Sequence, residues 1–240
     1  MTRYDTIIIG AGPGGYVAAI RAAQLKQKVL LVEKEKIGGT CMNWGCIPTK
    51  FLLHHTHMYE EIKNSDFLHG PVNDIMCDWK TVQNKKNKAV TKLIKGIEFL
   101  LKKNKVDIIR GTAHFHNQNT VGIENGKAQE RVQGDVIILA AGSRPFDLPF
   151  LKLDCRLAVT SRKALELDTI PSRLLVIGAG AIGLEIGTIY RRLGSQVLIL
   201  ELMDQILPGS EKDIAGRMQR ILKKQGLDIQ TQMKITQADK

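Results

Sequence analysis

Cys41 and Cys46 stand with four residues between them in the run Gly38-Gly39-Thr40-Cys41-Met42-Asn43-Trp44-Gly45-Cys46-Ile47-Pro48-Thr49-Lys50. A thiol pair this close can close a disulfide, hold two electrons as a dithiol, or contribute to a metal site. A metal site wants further Cys or His ligands in spaced pairs, and none is placed that way. A structural disulfide fits a secreted chain, and this sequence shows no sign of secretion. The pair follows directly on a dinucleotide-binding unit, and that order reads as a redox-active disulfide held against a bound cofactor. Lys50 follows Cys46 by four residues, so on a helix the two share a face.

The unit that must position the pair comes first in the chain. Thr6-Ile7-Ile8-Ile9 reads as a buried parallel strand. It runs into Gly10-Ala11-Gly12-Pro13-Gly14-Gly15, with glycines at the G-x-G-x-x-G positions 10, 12 and 15. Gly10 suits the tight turn, Gly12 the approach of a pyrophosphate, and Gly15 close packing of helix on strand. A helix from about Gly14 to Leu25 aims its first N–H groups at the phosphates. The strand Val29–Val32 then ends in Glu33, whose carboxylate can accept both hydroxyls of an adenosine ribose.

The same unit recurs. Leu174–Ile177 leads into Gly178, Gly180 and Gly183, a helix to about Leu193, and a strand Val197–Leu200 ending in Glu201. The separation of Gly178 from Glu201 equals that of Gly10 from Glu33. Two such units predict two dinucleotide sites and hence two cofactors. Glu201 favours a free ribose 2′-hydroxyl and repels a 2′-phosphate, and Leu202-Met203-Asp204 offers no Arg, so the second site is expected to prefer NAD over NADP.

On these residues the chain resembles the flavin-dependent pyridine nucleotide–disulfide oxidoreductases, and most closely their dihydrolipoamide-oxidising branch. The resemblance rests on the cysteine segment, on Gly183-Leu184-Glu185-Ile186-Gly187, on Asp204–Gly209, and on Val136–Pro145, with Ala141 where the family usually carries Thr. It implies an α/β fold of two Rossmann-like domains, the second incomplete: an FAD-binding domain over 1–150 and an NAD-binding domain over 151–240. It implies Cys41 as the thiol attacked by a dithiol substrate and Cys46 as the thiol beside the flavin. Lys50 would lie by the flavin and pair with Glu185. FAD would be held by Gly10, Gly12, Gly15, Glu33, Lys34, Gly39, Thr40, Lys50, Ala141, Gly142 and Ser143. NAD would be held by Gly178, Gly180, Gly183 and Glu201. The implied substrate is dihydrolipoamide, free or on a lipoyl domain of a 2-oxo acid dehydrogenase complex or the glycine cleavage system, and the implied assembly is a homodimer. Family chains are about twice as long, so a C-terminal interface domain and its His–Glu pair are expected to be absent. A glutathione- or mercuric-reductase-like enzyme, an NADH-oxidase-like electron donor and an inactive FAD-binding fragment are the alternatives.

The remaining stretches read more plainly. From Lys80 to Arg110 ten Lys or Arg face two acids, and Val90, Leu93, Ile97 and Leu101 recur at helical spacing. This predicts a long amphipathic helix with a solvated basic face; attraction to the acidic surface of a large enzyme complex is a middle reading, and nucleic-acid binding is not favoured, for want of aromatic interleaving or a nucleic-acid motif. Segments near 112–115, 120–123 and 130–132, with turns at Asn117–Asn119 and Asn125-Gly126, predict an antiparallel meander. A short helix is expected near Ser161 to Leu165, and Leu227–Gln230 should begin another strand. His54, His55 and His57 read as a polar face, so no metal is expected, and Cys77 and Cys155 as inert thiols. The chain is 43% hydrophobic with a net charge of +11. No apolar run approaches a membrane span, nothing before the first strand resembles a leader, and a cytoplasmic location is expected.

Overall fold

Alternation of buried and exposed side chains is lost where Thr6, Ile7 and Ile8 all turn inward, as a parallel strand covered on both faces requires. The computed structural model describes residues 1–66, 68, 75–126, 128–146 and 148–237. The chain divides into two compact units, one of residues 1–47 with 87–144, the other of residues 48–86 with 145–240.

The first unit is built on β1 (Thr2–Ile9), α1 (Pro13–Gln24) and β2 (Val29–Glu33). The short α2 (Gly39–Trp44) follows, then α3 (Cys46–Lys63) and α4 (Trp79–Lys103), which both carry the chain across a boundary between units. β3 (Asp107–Arg110), β4 (Thr112–Asn117), β5 (Thr120–Asn125) and β6 (Ala128–Leu139) complete it. The six strands lie in the order β3-β2-β1-β6-β5-β4. The first four run parallel, and β5 pairs antiparallel with β6 and β4. Every residue of β2 is buried, and Leu31 packs with Ile8, Ala19, Ile97 and Leu101. On the sheet's other side Leu30 and Val32 pack with Ile7, Val121, Ile123 and Val132.

The second unit contains α5 (Ser161–Ala164), β7 (Arg173–Ile177), α6 (Ala181–Arg192), β8 (Gln196–Leu200), α7 (Lys212–Lys224) and β9 (Asp228–Gln230). Its sheet is parallel in the order β7-β8-β9. The core joins Leu184, Ile189 and Tyr190 of α6 to Val197, Ile199 and Ile229, with Leu52 of α3 and Trp79 of α4 packed in. The Trp79 indole donates to the Leu167 carbonyl at 2.8 Å, and the Tyr190 hydroxyl to the Ala164 carbonyl at 2.5 Å.

The two glycine units, the meander, the helix near 161 and the strand at 228 take the forms their patterns predict. Three expectations change. The basic segment is not one helix to Arg110: α4 stops at Lys103, and Asp107–Arg110 is a strand beside β2. Its proposed apolar stripe is buried only at Ile97 and Leu101, while Leu93 is exposed. Lys86 is buried rather than solvated, its ammonium donating to the Leu165 carbonyl at 2.7 Å and the Gln83 side-chain oxygen. α3 begins at Cys46, set off from α2 by Gly45. β6 serves both the parallel part of the sheet and the meander. Among the described residues no helix is long and apolar enough to cross a membrane.

Candidate functional site

Two backbone contacts fasten the cysteine segment to the first glycine turn, and two further sets of contacts close the segment on itself. Gly38, at φ +93° before α2, donates its N–H to the Ala11 carbonyl at 2.8 Å. A Cβ on Gly39 would stand 2.7 Å from Gly12 Cα, so α2 begins against the backbone of the G-x-G loop. The Asn43 amide donates to the carbonyls of Ile37 and Gly39, closing the turn. Gly45 closes the other end, where a Cβ would stand 2.8 Å from the Thr40 carbonyl oxygen and 3.3 Å from Cys41 Cα. The absent side chain lets the strand of backbone carrying Cys46 lie on the backbone carrying Cys41.

Cys41 is half-buried within α2, and Cys46 is exposed as the first residue of α3. Burial, and after it the charge of Cys41, pushes the Tyr16 phenol above its ordinary range, which puts Tyr16 within electrostatic reach of that sulfur. Burial, then Asp78, raises the Cys77 thiol, as suits an inert neutral group.

The two glycine units superpose in their bonding as well as in their spacing. Glu33 is buried, and its carboxylate accepts the Ala11 N–H at 2.7 Å and the Glu35 N–H at 2.7 Å. Glu201 is buried likewise and accepts the Ala179 N–H at 2.7 Å and the Met203 N–H at 2.9 Å. Each acid thus braces the glycine turn of its own unit, a role the sequence reading missed. The matched spacing of glycines and acids was the signal for it. A Cβ on Gly15 would fall 1.7 Å from the Gly10 carbonyl oxygen, and one on Gly183 would fall 2.0 Å from that of Gly178, so helix rests on turn in both.

Around Gly12 the nearest atom to an added Cβ is Gly39 Cα at 3.9 Å, and around Gly178 and Gly180 nothing lies within 4 Å. These glycines border open space of the sort a pyrophosphate needs. On the first unit the loop after β6 joins the turn: a Cβ on Gly10 would meet the Ala140 carbonyl oxygen at 2.3 Å and Ala141 Cα at 3.2 Å. Gly142, at φ +71°, and Ser143 follow on the surface, and Lys34 and Thr40 are exposed nearby in sequence to Glu33 and Gly39.

In the second unit Lys50 and Glu185 meet at 2.5 Å between Nζ and Oε1, the pair the resemblance implied. Glu185 is the more sheltered partner, with 29% of its side chain exposed against 61% for Lys50. Arg192 of the same helix binds Glu60 at 3.0 Å and the Leu53 carbonyl, so α6 is tied to α3 at two levels. The histidines of α3 are otherwise engaged: His55 with the Phe51 carbonyl, His57 with Glu61 at 3.4 Å. No cluster of three metal-ligating side chains exists among the described residues.

Residues 4–240 match the family profile described as pyridine nucleotide-disulphide oxidoreductase. The dihydrolipoyl dehydrogenase of Geobacillus stearothermophilus is 46% identical over 227 residues, covering 95% of this chain and 48% of the relative. One from Bacillus subtilis (strain 168) is 47% identical over 222 residues, or 92% and 47% of the two chains. The mitochondrial dihydrolipoyl dehydrogenase of Pisum sativum is 43% identical over 98% of this chain and 48% of its own. Among solved structures, the HOCl-induced flavoprotein disulfide reductase RclA from Escherichia coli superposes with a TM-score of 0.79 at 28% identity, covering 98% of this chain and 50% of that one. Its Cu(II) complex gives 0.82, over 99% and 51%. The chain spans about half the length of the curated relatives it matches. With two braced glycine turns, a cysteine pair fastened to the first of them, and these matches along nearly its whole length, the chain belongs to the pyridine nucleotide-disulphide oxidoreductase family.

Proposed function

We propose that this chain forms the flavin- and nicotinamide-binding part of an enzyme that oxidises dihydrolipoamide at a Cys41–Cys46 disulfide and passes the electrons to NAD⁺. The observation that carries the reading is the seating of the cysteine segment on the first glycine turn, through Gly38 N–H to Ala11 and Gly39 on Gly12. That seating holds the pair beside the place a dinucleotide would occupy.

The fit to FAD rests on the space bordered by Gly12, the braced turn at Glu33, and the Ala140–Ala141 backbone packed on Gly10. Residues 1–150 are proposed as the FAD-binding domain, with Gly10, Gly12, Gly15, Glu33, Lys34, Gly39, Thr40, Lys50, Ala141, Gly142 and Ser143 holding the group. Residues 151–240 are proposed to bind NAD through Gly178, Gly180, Gly183 and Glu201. When bound, the flavin supplies a two-electron link between dithiol and nicotinamide.

At the cysteines the chemistry is thiol–disulfide exchange. A substrate thiolate attacks the Cys41 sulfur, the S–S bond breaks, and Cys46 leaves as a thiolate. The second substrate thiol then attacks the substrate's own sulfur in the mixed disulfide and releases Cys41. The substrate leaves as a cyclic disulfide, its second thiol proton passing to Cys41, so that two electrons and one proton remain with the chain as the Cys46 thiolate and the Cys41 thiol. Lys50, paired to Glu185, places a fixed positive charge one turn along α3 from Cys46. The substrate is proposed to reach the site free or on a lipoyl domain of a 2-oxo acid dehydrogenase complex or the glycine cleavage system. A cytoplasmic homodimer is the proposed form of the whole protein.

The test is reduction of NAD⁺ and of NADP⁺ by dihydrolipoamide with FAD added, for the wild type, Cys41→Ser and Cys46→Ser, in a protein extended to its relatives' length. Activity with NAD⁺ that falls by at least about a thousandfold in either serine variant is expected. Dihydrolipoamide-dependent NADH formation surviving Cys41→Ser would sink the reading. Preference for NADP⁺ would remove the role given to Glu201.

A further inference from the structure

The outer face of α4 carries a charge that the proposed chemistry does not use. Lys88, Lys92, Lys95 and Lys102 recur at intervals of three, four and seven, all exposed, opposite the buried Ile97 and Leu101. Phe99 falls on the same line and is 64% exposed. At about 1.5 Å per residue the lysines run along about 21 Å of helix. Among the described residues none of the four makes an ion pair or a side-chain hydrogen bond. Glu98, the helix's one acid, lies on the flank and faces Arg110 at 3.9 Å. Like charges one turn apart destabilise a helix, so the stripe opposes the stability of the element that bears it.

We propose that this face docks an acidic polypeptide segment, with Phe99 seated against an apolar side chain between the partner's carboxylates. Charge complementarity selects the class of partner. α4 contains no Arg, so the forked contacts that read phosphates and bases are missing. A membrane surface would call for several large apolar residues in line with the lysines, and of the exposed Leu93, Phe99 and Leu100 only Phe99 lies on that line. A point charge on a long flexible stem suits carboxylates that are not held in one geometry. The single exposed aromatic supplies the desolvated anchor that charge alone lacks.

The experiment is titration of the purified chain, across a salt series, with a glutamate-rich peptide carrying interspersed leucines, with duplex DNA, and with phosphatidylserine vesicles. The variant Lys88→Gln/Lys92→Gln/Lys95→Gln/Lys102→Gln is compared with a charge-matched control on α7, Lys212→Gln/Arg217→Gln/Lys223→Gln/Lys224→Gln. Peptide binding should weaken at least about tenfold in the α4 variant, with a shallower salt dependence, and less than about threefold in the control. Phe99→Ala should weaken peptide binding with the salt dependence unchanged. Single Lys92→Gln and Lys95→Gln substitutions, read the same way, serve if the fourfold variant unfolds. Equal losses in the two fourfold variants, tighter binding of DNA or vesicles than of peptide, or an inert Phe99→Ala would each overturn the proposal.

Discussion

At the scale of single residues, Gly45 carries more than its lack of a side chain suggests. Alanine there would push a methyl to 2.8 Å from the Thr40 carbonyl oxygen and toward Cys41 Cα. Gly45→Ala is expected to cost about 1–3 kcal/mol of stability, the range of an overpacked site, and to slow closure of the Cys41–Cys46 bond. Urea unfolding and the rate of thiol loss on mild oxidation would measure the two effects. The Lys50–Glu185 pair behaves oppositely. One partner is well exposed, so Glu185→Gln should change unfolding free energy by less than about 1 kcal/mol, and an effect confined to turnover would mark the pair as functional. The cysteines, glycines and acids were legible because their chemistry depends on type and spacing. The bracing of each turn by Glu33 or Glu201 was signalled only by their matched distance from the glycines, because a carboxylate's hydrogen bonds to local backbone leave no trace in residue type alone.

Among the elements, α4 shows where pattern reading ran short. A run of lysines at helical spacing gives no sign of which lysine turns inward, and Lys86 does so because the carbonyl of Leu165 and the side chain of Gln83 receive its protons. Lys86→Met should destabilise the chain by about 1–3 kcal/mol, the cost of leaving buried acceptors without a donor. Burial lowers the Lys86 ammonium below the ordinary lysine range, with Glu166 restoring part of the shift. In the window below pH about 10.5 the folded chain therefore binds fewer protons than the unfolded one. Wild-type stability gains on Lys86→Met as pH climbs from neutrality into that window, and denaturant titrations of both at several pH values would check the sign. Leu101, fully buried against β2's layer, is the apolar counterpart, and Leu101→Ala should cost about 2–5 kcal/mol. The boundary at Lys103 was unreadable because Asp107–Arg110 owes its strand to β2, a partner more than seventy positions earlier in the chain.

Over the whole molecule, apolar side chains remain uncovered on sheet strands of each unit. Val136, Ile138 and Leu139 of β6 and Leu175 and Ile177 of β7 are exposed. Large exposed apolar surfaces bind dyes and partners, so this chain alone should enhance the fluorescence of an anilinonaphthalene dye and self-associate in sedimentation at micromolar concentration. A silent dye and a monomeric chain would refute that expectation. The repeat of the glycine unit made the two-part architecture legible from sequence, whereas the units' composition from alternating stretches of chain was not, since it depends on where α3 and α4 find their cores. β6 has a last consequence. Its first half is bound to β5 across a short turn, and its second half to β1, whose residues lie some 130 positions away. Hairpins close in about 1–10 μs, far sooner than distant segments meet. A one-residue slip in that early hairpin would hand β1 a partner with its side chains reversed. The local turn near Gly126 thereby acts as the ruler for the longest-range pairing in the first unit, and errors in folding should begin there.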